Sequence, residues 1–89
     1  MRGNDKIFYT AIGNVIKKRR KDLKLTFTVF CYENDIAKST LDNIERANRR
    51  VGMFYILQVA QALGLSIVEF AKLLQDELPK DFKFEKEQN

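Results

Sequence analysis

Apolar residues recur at helical spacing in five successive segments of this chain, separated by short polar or glycine-containing breaks. Spacings of three, four and seven residues place such side chains on one face of an α-helix. The pattern predicts an all-α fold with helices at about 5–23, 26–33, 37–46, 53–63 and 66–78. The side chains expected to face the core are Phe8, Ile12, Val15, Ile16, Leu23, Val29, Phe30, Leu41, Ile44, Met53, Ile56, Leu57, Ala60, Leu63, Ile67, Phe70, Ala71 and Leu74.

Residues with strong backbone preferences mark where these helices begin and end. Short hydroxyl side chains bind the free N–H groups of a first turn, and glycine or asparagine accepts the left-handed backbone that ends a helix. The expected N-caps are Thr26, Gly52 and Ser66, the last in a capping box with Glu69. The expected breaks lie at Asn34, Asp35, Gly64 and Pro79.

The size and composition of the chain favour one small domain. The chain has 89 residues, 45% of them hydrophobic, so we expect one compact domain over 1–78 and a C-terminal tail over 79–89. No run approaches the roughly 18 apolar residues of a membrane span, and residues 1–13 lack the features of an export signal, so a soluble, cytoplasmic protein is expected. One cysteine and no histidine make a disulfide, a zinc site or another cofactor improbable.

The positive charge is concentrated in the first half of the chain. Residues 1–50 hold 12 Lys and Arg against 6 Asp and Glu, whereas residues 51–89 hold 4 against 6. Such an uneven distribution is typical of a domain that turns one face to nucleic-acid phosphate. A basic surface that only maintains solubility is the alternative that charge by itself leaves open.

Four stretches of the sequence resemble those of one protein family. They are "IGNVIKKRR" from residue 12, "LT" at 25–26, "IAKSTLDNIER" at 36–46 and "ILQVAQALGLSIVEF" at 56–70. Together they resemble the phage-repressor and Cro-like helix-turn-helix family (XRE family), which includes restriction-modification controller proteins, over residues 12–74 without a gap. The resemblance implies a five-helix, lambda-repressor-like fold whose third helix enters the DNA major groove.

The resemblance also implies roles for individual residues. The side chains expected to reach base edges are Lys38, Ser39, Asn43 and Asp42. Those expected to bind phosphate are Thr26, Thr28, Thr40, Asn48, Arg49 and Arg50. Arg20 and Glu45 fall where the family often has a structural ion pair, and Cys31 falls where a small side chain packs between two helices. All these residue types also occur on ordinary solvated helices.

The chain departs from the family pattern at several positions. Phe27 stands where glutamine usually binds a phosphate, and it could contact a thymine methyl group or a sugar, or be covered by the N-terminal segment. Asp35 and Ala47 replace two turn glycines, so Asn48 is expected to take the left-handed position after the third helix. Ala37 replaces a Ser or Thr cap, which weakens the start of that helix by about 1 kcal/mol.

These expectations favour a sequence-specific transcriptional regulator of double-stranded DNA, such as a repressor, that has no enzymatic step. A homodimer on a palindromic operator is expected, with helix five and the tail as its interface. The apolar side chains that exceed the needs of the core are Val68, Leu73, Leu78, Phe82 and Phe84. Folding of the tail over its own core is the alternative for these residues. An antitoxin-like protein or a protein-interaction module with the same fold is the alternative function.

Overall fold

The architecture consists of five α-helices joined by short turns. The computed structural model describes residue 1 and residues 3–85, and the last four residues of the predicted tail lie outside the described part of the chain. The helices are α1 (Gly3–Asp22), α2 (Phe27–Glu33), α3 (Lys38–Arg46), α4 (Met53–Ala62) and α5 (Ile67–Glu77). Within the described residues there is no strand, so the all-α prediction is confirmed.

Local hydrogen bonds set the helix starts that the sequence predicts. The Thr26 hydroxyl accepts a bond from the Val29 N–H at the start of α2, at 3.4 Å. The capping box of α5 is complete, because Ser66 and Glu69 each accept the other's backbone N–H. That bond to the Ser66 N–H lowers the pKa of the Glu69 carboxyl group. Ala37 offers no side-chain bond to the start of α3.

Left-handed backbone ends α3 one residue earlier than the sequence predicts. Ala47 has φ of 54°, and its N–H bonds to the carbonyls of Asn43 and Ile44. The prediction that Asn48 takes this conformation is wrong. The Ala47 methyl group is buried, so tertiary packing offsets the steric cost that an L-residue meets in this region. Asp35 and Gly64 are left-handed as expected.

The core gathers one face of every helix. Its buried members include Ile12, Val15, Ile16, Phe30, Cys31, Leu41, Ile44, Ile56, Val59, Ala60, Leu63 and Phe70. Cys31 is therefore a packing residue, and burial raises the pKa of its thiol.

Five of the predicted core positions face solvent instead. Leu23, Val29, Met53 and Ile67 are 43%, 49%, 47% and 67% exposed, and Ala71 is also exposed. Leu23 lies just beyond the end of α1, and Met53 and Ile67 are the first residues of their helices. At these three positions the helical pattern fails because a turn is missing on one side of the residue. Ala71 lies in the middle of α5, and nothing in the structure explains its exposure. In the two-turn helix α2, burial of Phe30 and Cys31 leaves Val29 outside.

α1 and α3 approach each other closely at Gly13. A Cβ atom placed on Gly13 would lie 2.5 Å from the Ile44 carbonyl oxygen and 2.9 Å from that of Glu45. Only glycine leaves room for the backbone of α3 at this point. The absence of a side chain in α1 thus sets the distance at which α3 packs.

Within the described residues, no single helix is long and apolar enough to cross a membrane. α4 and α5 reach the required length and apolarity only when taken together, and they are bent by 105° where they meet.

We predict that Gly13→Ala lowers the free energy of unfolding by about 1–3 kcal/mol, because backbone atoms of α3 have to move away from the new methyl group. Urea unfolding followed by circular dichroism measures the change. Gly52→Ala is the matched control, since a Cβ atom there meets nothing closer than 3.7 Å. Equal stability of the two variants would contradict the close contact described here.

Candidate nucleic-acid interface

The turn between α2 and α3 is held by its own hydrogen bonds and by one buried side chain. The Asn34 amide group donates to the Phe30 carbonyl at 3.0 Å, and the Ile36 N–H donates to the Cys31 carbonyl at 2.9 Å. Ile36 is buried in the core, which anchors the turn from below. These contacts fix the direction in which α3 leaves α2.

The outer face of α3 collects the four residues predicted to reach base edges. Leu41 and Ile44, three residues apart on one face of α3, are buried against the core, so the opposite face of the helix lies on the solvent side. Lys38 and Ser39 are exposed, and Asp42 and Asn43 are partly exposed. The structure therefore brings these four side chains onto one accessible helix face.

Asp42 is not an isolated negative charge on that face. Its carboxylate lies 3.6 Å from the Arg46 Nε atom, one helical turn further along α3. Both side chains are largely exposed, so the pair stabilises the helix by only a few tenths of a kcal/mol, about 0.3–0.5. Its main effect is to place a positive charge beside the one carboxylate that would repel phosphate.

A buried ion pair joins α1 to the last turn of α3. The Arg20 Nε and Nη2 atoms donate to the two carboxylate oxygens of Glu45 at 2.8 and 3.0 Å, and Nη1 donates to the Leu25 carbonyl at 2.7 Å. The two side chains are only 9% and 6% exposed. The bond to Glu45 raises the pKa of the Arg20 guanidinium group.

Phe27 packs beneath this ion pair. The Arg20 guanidinium carbon lies 5.7 Å from the centre of the Phe27 ring, within the range of a cation–π contact. Phe27 is half-buried and packs against the core. Its contact with a thymine methyl group or a sugar stays a prediction. Each of the three side-chain nitrogen atoms of Arg20 donates a hydrogen bond inside the domain, which indicates a structural role for this arginine.

The predicted phosphate-binding residues lie in two groups. Thr26 and Thr28 lie at the start of α2, where the Thr26 hydroxyl is already used as a cap. Thr40 is half-buried on α3, and the exposed residues of the following loop are Asn48, Arg49 and Arg50. Arg50 forms an ion pair with Asp5 in the first turn of α1. Arg49 is thus the exposed arginine of this loop that forms no ion pair with the part of the chain that the structure describes.

Three residues of α1 that position α3 and its loop were not predicted from the sequence. Gly13 allows the close helix contact, Lys6 donates from its Nζ atom to the Ala47 carbonyl at 3.0 Å, and Asp5 pairs with Arg50. Lys6 and Asp5 lie 41 and 45 residues from their partners in sequence. No local pattern signals contacts over such separations.

Comparison with known proteins adds no identification. No model of a known family, no curated protein and no solved structure matches this chain. What the outer face of α3 can do therefore has to be inferred from the chemistry and placement of its own side chains.

The C-terminal tail folds back onto the first turns of α1. The Phe8 ring lies 6.3 Å from Phe82 and 5.2 Å from Phe84, and the Asn4 amide group donates to the Lys83 and Glu85 carbonyls at 2.9 and 3.0 Å. Of the two expectations for the tail, its packing on the same chain is the one the structure contains. The predicted interface residues Val68 and Leu73 remain exposed on α5.

A second apolar surface was not predicted from the sequence. Phe54 is 75% exposed at the start of α4, and it lines a shallow groove with Leu57 of the same helix and Ile67 of α5. Leu57 and Ile67 were expected to face the core, and Phe54 was not assigned to either the core or the surface. The first turn of a helix that begins at the surface leaves its apolar residues uncovered.

We predict that Glu45→Gln lowers the free energy of unfolding by about 3–5 kcal/mol, because it leaves the buried Arg20 guanidinium group without a counter-charge. The double variant Arg20→Met/Glu45→Leu is the matched control and should regain most of the loss, since it buries no charge. Urea unfolding of the three proteins measures both effects. A loss below about 1 kcal/mol for Glu45→Gln would mean that the pair behaves as a surface salt bridge.

Proposed function

We propose that this protein is a sequence-specific transcriptional regulator that binds double-stranded DNA as a homodimer and has no enzymatic step. The observation that carries the proposal is the outer face of α3, where Lys38, Ser39, Asp42 and Asn43 are accessible together on one side of a helix whose other side is buried. An α-helix of this size fits the major groove of B-form DNA. In this proposal α2, the turn and α3 form the helix-turn-helix of a lambda-repressor-like, XRE-type domain.

The chemistry of the face suits base recognition. An amide group such as that of Asn43 can bond to N6 and N7 of adenine, and the Lys38 ammonium group can donate to N7 and O6 of guanine. Asp42 can accept a bond from N4 of cytosine, for which it would leave Arg46. Each base-specific pair of this kind discriminates against a wrong base by about 1–3 kcal/mol.

The charges around α3 suit phosphate binding. Lys38, Arg46, Arg49 and Arg50 lie on α3 or in the loop that follows it. Contacts of such residues to phosphate position a protein on DNA and release counter-ions, so the affinity falls as salt rises. This supports the proposal because four of the twelve positive charges of the first half of the chain lie on the proposed recognition helix or directly after it.

We predict different effects of Asn43→Ala and Arg49→Ala on DNA binding. Asn43→Ala should reduce affinity for the preferred sequence by about 1–3 kcal/mol and hardly alter binding to random duplexes, because it removes a base contact. Arg49→Ala should weaken binding to all duplexes and reduce the salt slope of log K by about 0.9, because it removes one phosphate contact. Fluorescence anisotropy over a salt series measures both, after the preferred sequence has been selected from a random duplex library.

Lys72→Ala is the matched control for charge, since Lys72 is exposed on α5 outside the proposed interface. It should leave the salt slope nearly unchanged. An affinity of the native protein that does not fall as salt rises would refute the proposed function, because phosphate contacts would then be absent.

A homodimer would give the proposed regulator a binding site of useful length. The exposed groove of Phe54, Leu57 and Ile67 and the exposed α5 residues Val68 and Leu73 are the apolar surfaces available for it. In the tail, Phe82 is partly buried against Phe8, whereas Phe84 touches the same ring and is still 77% exposed. The groove combines side chains from two helices, and we therefore place the dimer contact there.

We predict that Ile67→Asp converts the protein to a monomer at micromolar concentration, because it puts a charge into the proposed dimer contact. The substitution should preserve folding, since an acidic residue is favourable in the first turn of a helix. Sedimentation equilibrium measures the mass, and Gln75→Asp, an exposed position later in α5, is the matched control. A dimer that survives Ile67→Asp but is lost in Leu73→Asp would move the interface to the later part of α5.

A second candidate function is a protein-interaction module, such as an antitoxin-like protein. The exposed groove of Phe54, Leu57 and Ile67 is the observation that favours it, because a partner of another sequence could cover the same apolar surface. The salt titration of DNA binding separates the two candidates. A module without DNA binding would show no salt-dependent affinity for any duplex.

A further inference from the structure

Three consecutive residues in the first turn of α1 tie together the chain's tail and the loop after α3. Asn4 binds two carbonyls of the tail, Asp5 pairs with Arg50, and Lys6 binds the Ala47 carbonyl. One turn of helix thereby holds both ends of the loop that carries Asn48 and Arg49. The placement of that loop depends on a part of the chain more than 40 residues away.

Arg50 lies in a cleft with more negative than positive charge. The cleft is lined by Asn4, Asp5, Phe8, Arg50, Phe84 and Glu85, among others. Asp5 already pairs with the guanidinium group of Arg50, and the carboxylate of Glu85 lines the same cleft. Arg50 therefore lies where a phosphate group would meet two carboxylates at close range.

We propose that Asp5 competes with DNA phosphate for Arg50, so that Arg50 adds to DNA affinity only when its ion pair with Asp5 opens. The inference rests on the proposed function, because it concerns the affinity of the same loop for DNA. The competitor is part of the chain and is present at a high effective concentration. Asp5 thus limits non-specific binding and leaves the contacts of α3 with bases as the main contribution to affinity.

The pair is weak enough to be displaced. Both side chains are half exposed or more, and ion pairs of this kind contribute little to stability because water and salt screen them. A phosphate that approaches in the right geometry can therefore take over the guanidinium group, to which it binds in a bidentate manner. The competition should alter affinity by a small factor, and it should act mainly on binding to DNA of any sequence.

The test compares four proteins for binding to a labelled random-sequence duplex over a salt series: the native chain, Asp5→Asn, Arg50→Gln and the double variant. We expect Asp5→Asn to bind about two- to fivefold more tightly at low salt and to steepen the slope of log K against log salt by about 0.9, which is one additional phosphate contact. In the double variant this gain should disappear, because Arg50 is needed for it.

Asp22→Asn controls for net charge, since Asp22 is the last residue of the same helix and lines a surface with Leu73, Asp76 and Glu77. Equal gains from Asp5→Asn and Asp22→Asn would overturn the inference, and so would a gain that persists in the double variant. Asp5→Ser supplies a second removal of the carboxylate should Asp5→Asn fold poorly by circular dichroism. If the native chain shows no salt-dependent binding, the proposed function itself fails and the inference fails with it.

Discussion

The buried ion pair of Arg20 and Glu45 fixes the rotation of α3 about its own axis. Apolar contacts of Leu41 and Ile44 with the core are not directional, and a range of rotations would bury them equally well. The paired bonds between a guanidinium group and a carboxylate are directional. Because desolvation offsets much of their attraction, their main contribution is orientation. The ion pair on the buried side of α3 therefore determines which of its side chains face solvent.

Gly13 and Phe27 both support the ion pair of Arg20 and Glu45. Gly13 lets the backbone of α3 approach α1, which brings Glu45 within reach of Arg20. Phe27 lies under the guanidinium group and links the start of α2 to the pair. The half-buried Phe27 ring supports the cation by a contact inside the domain. α1, α2 and α3 thus meet at one buried ion pair, which Gly13 and Phe27 both support.

The sequence predicts the parts of this structure that local interactions decide. Helical spacing is enough to find all five helices, and the Ser66–Glu69 capping box follows from two residue types three positions apart. The face of α3 was predictable because Leu41 and Ile44 lie in its middle. Ala47, by contrast, takes the left-handed backbone because its methyl group is buried and Lys6 binds its carbonyl. Such contacts depend on how segments far apart in the sequence pack together, and a short stretch of sequence gives no sign of that packing.

The two ends of α3 are held unequally. At its C-terminal end, Glu45 pairs with Arg20, and Lys6 donates a bond to the Ala47 carbonyl just after the helix. The positive charge of Lys6 also complements the negative end of the helix dipole. Its N-terminal end begins at Ala37 without a side-chain cap, which costs about 1 kcal/mol relative to a Ser or Thr cap. Local opening is therefore easier in the turn that carries Lys38 and Ser39 than in the turn that carries Glu45. A surface that adjusts at one end while its other end is fixed can adapt to a groove without losing its orientation.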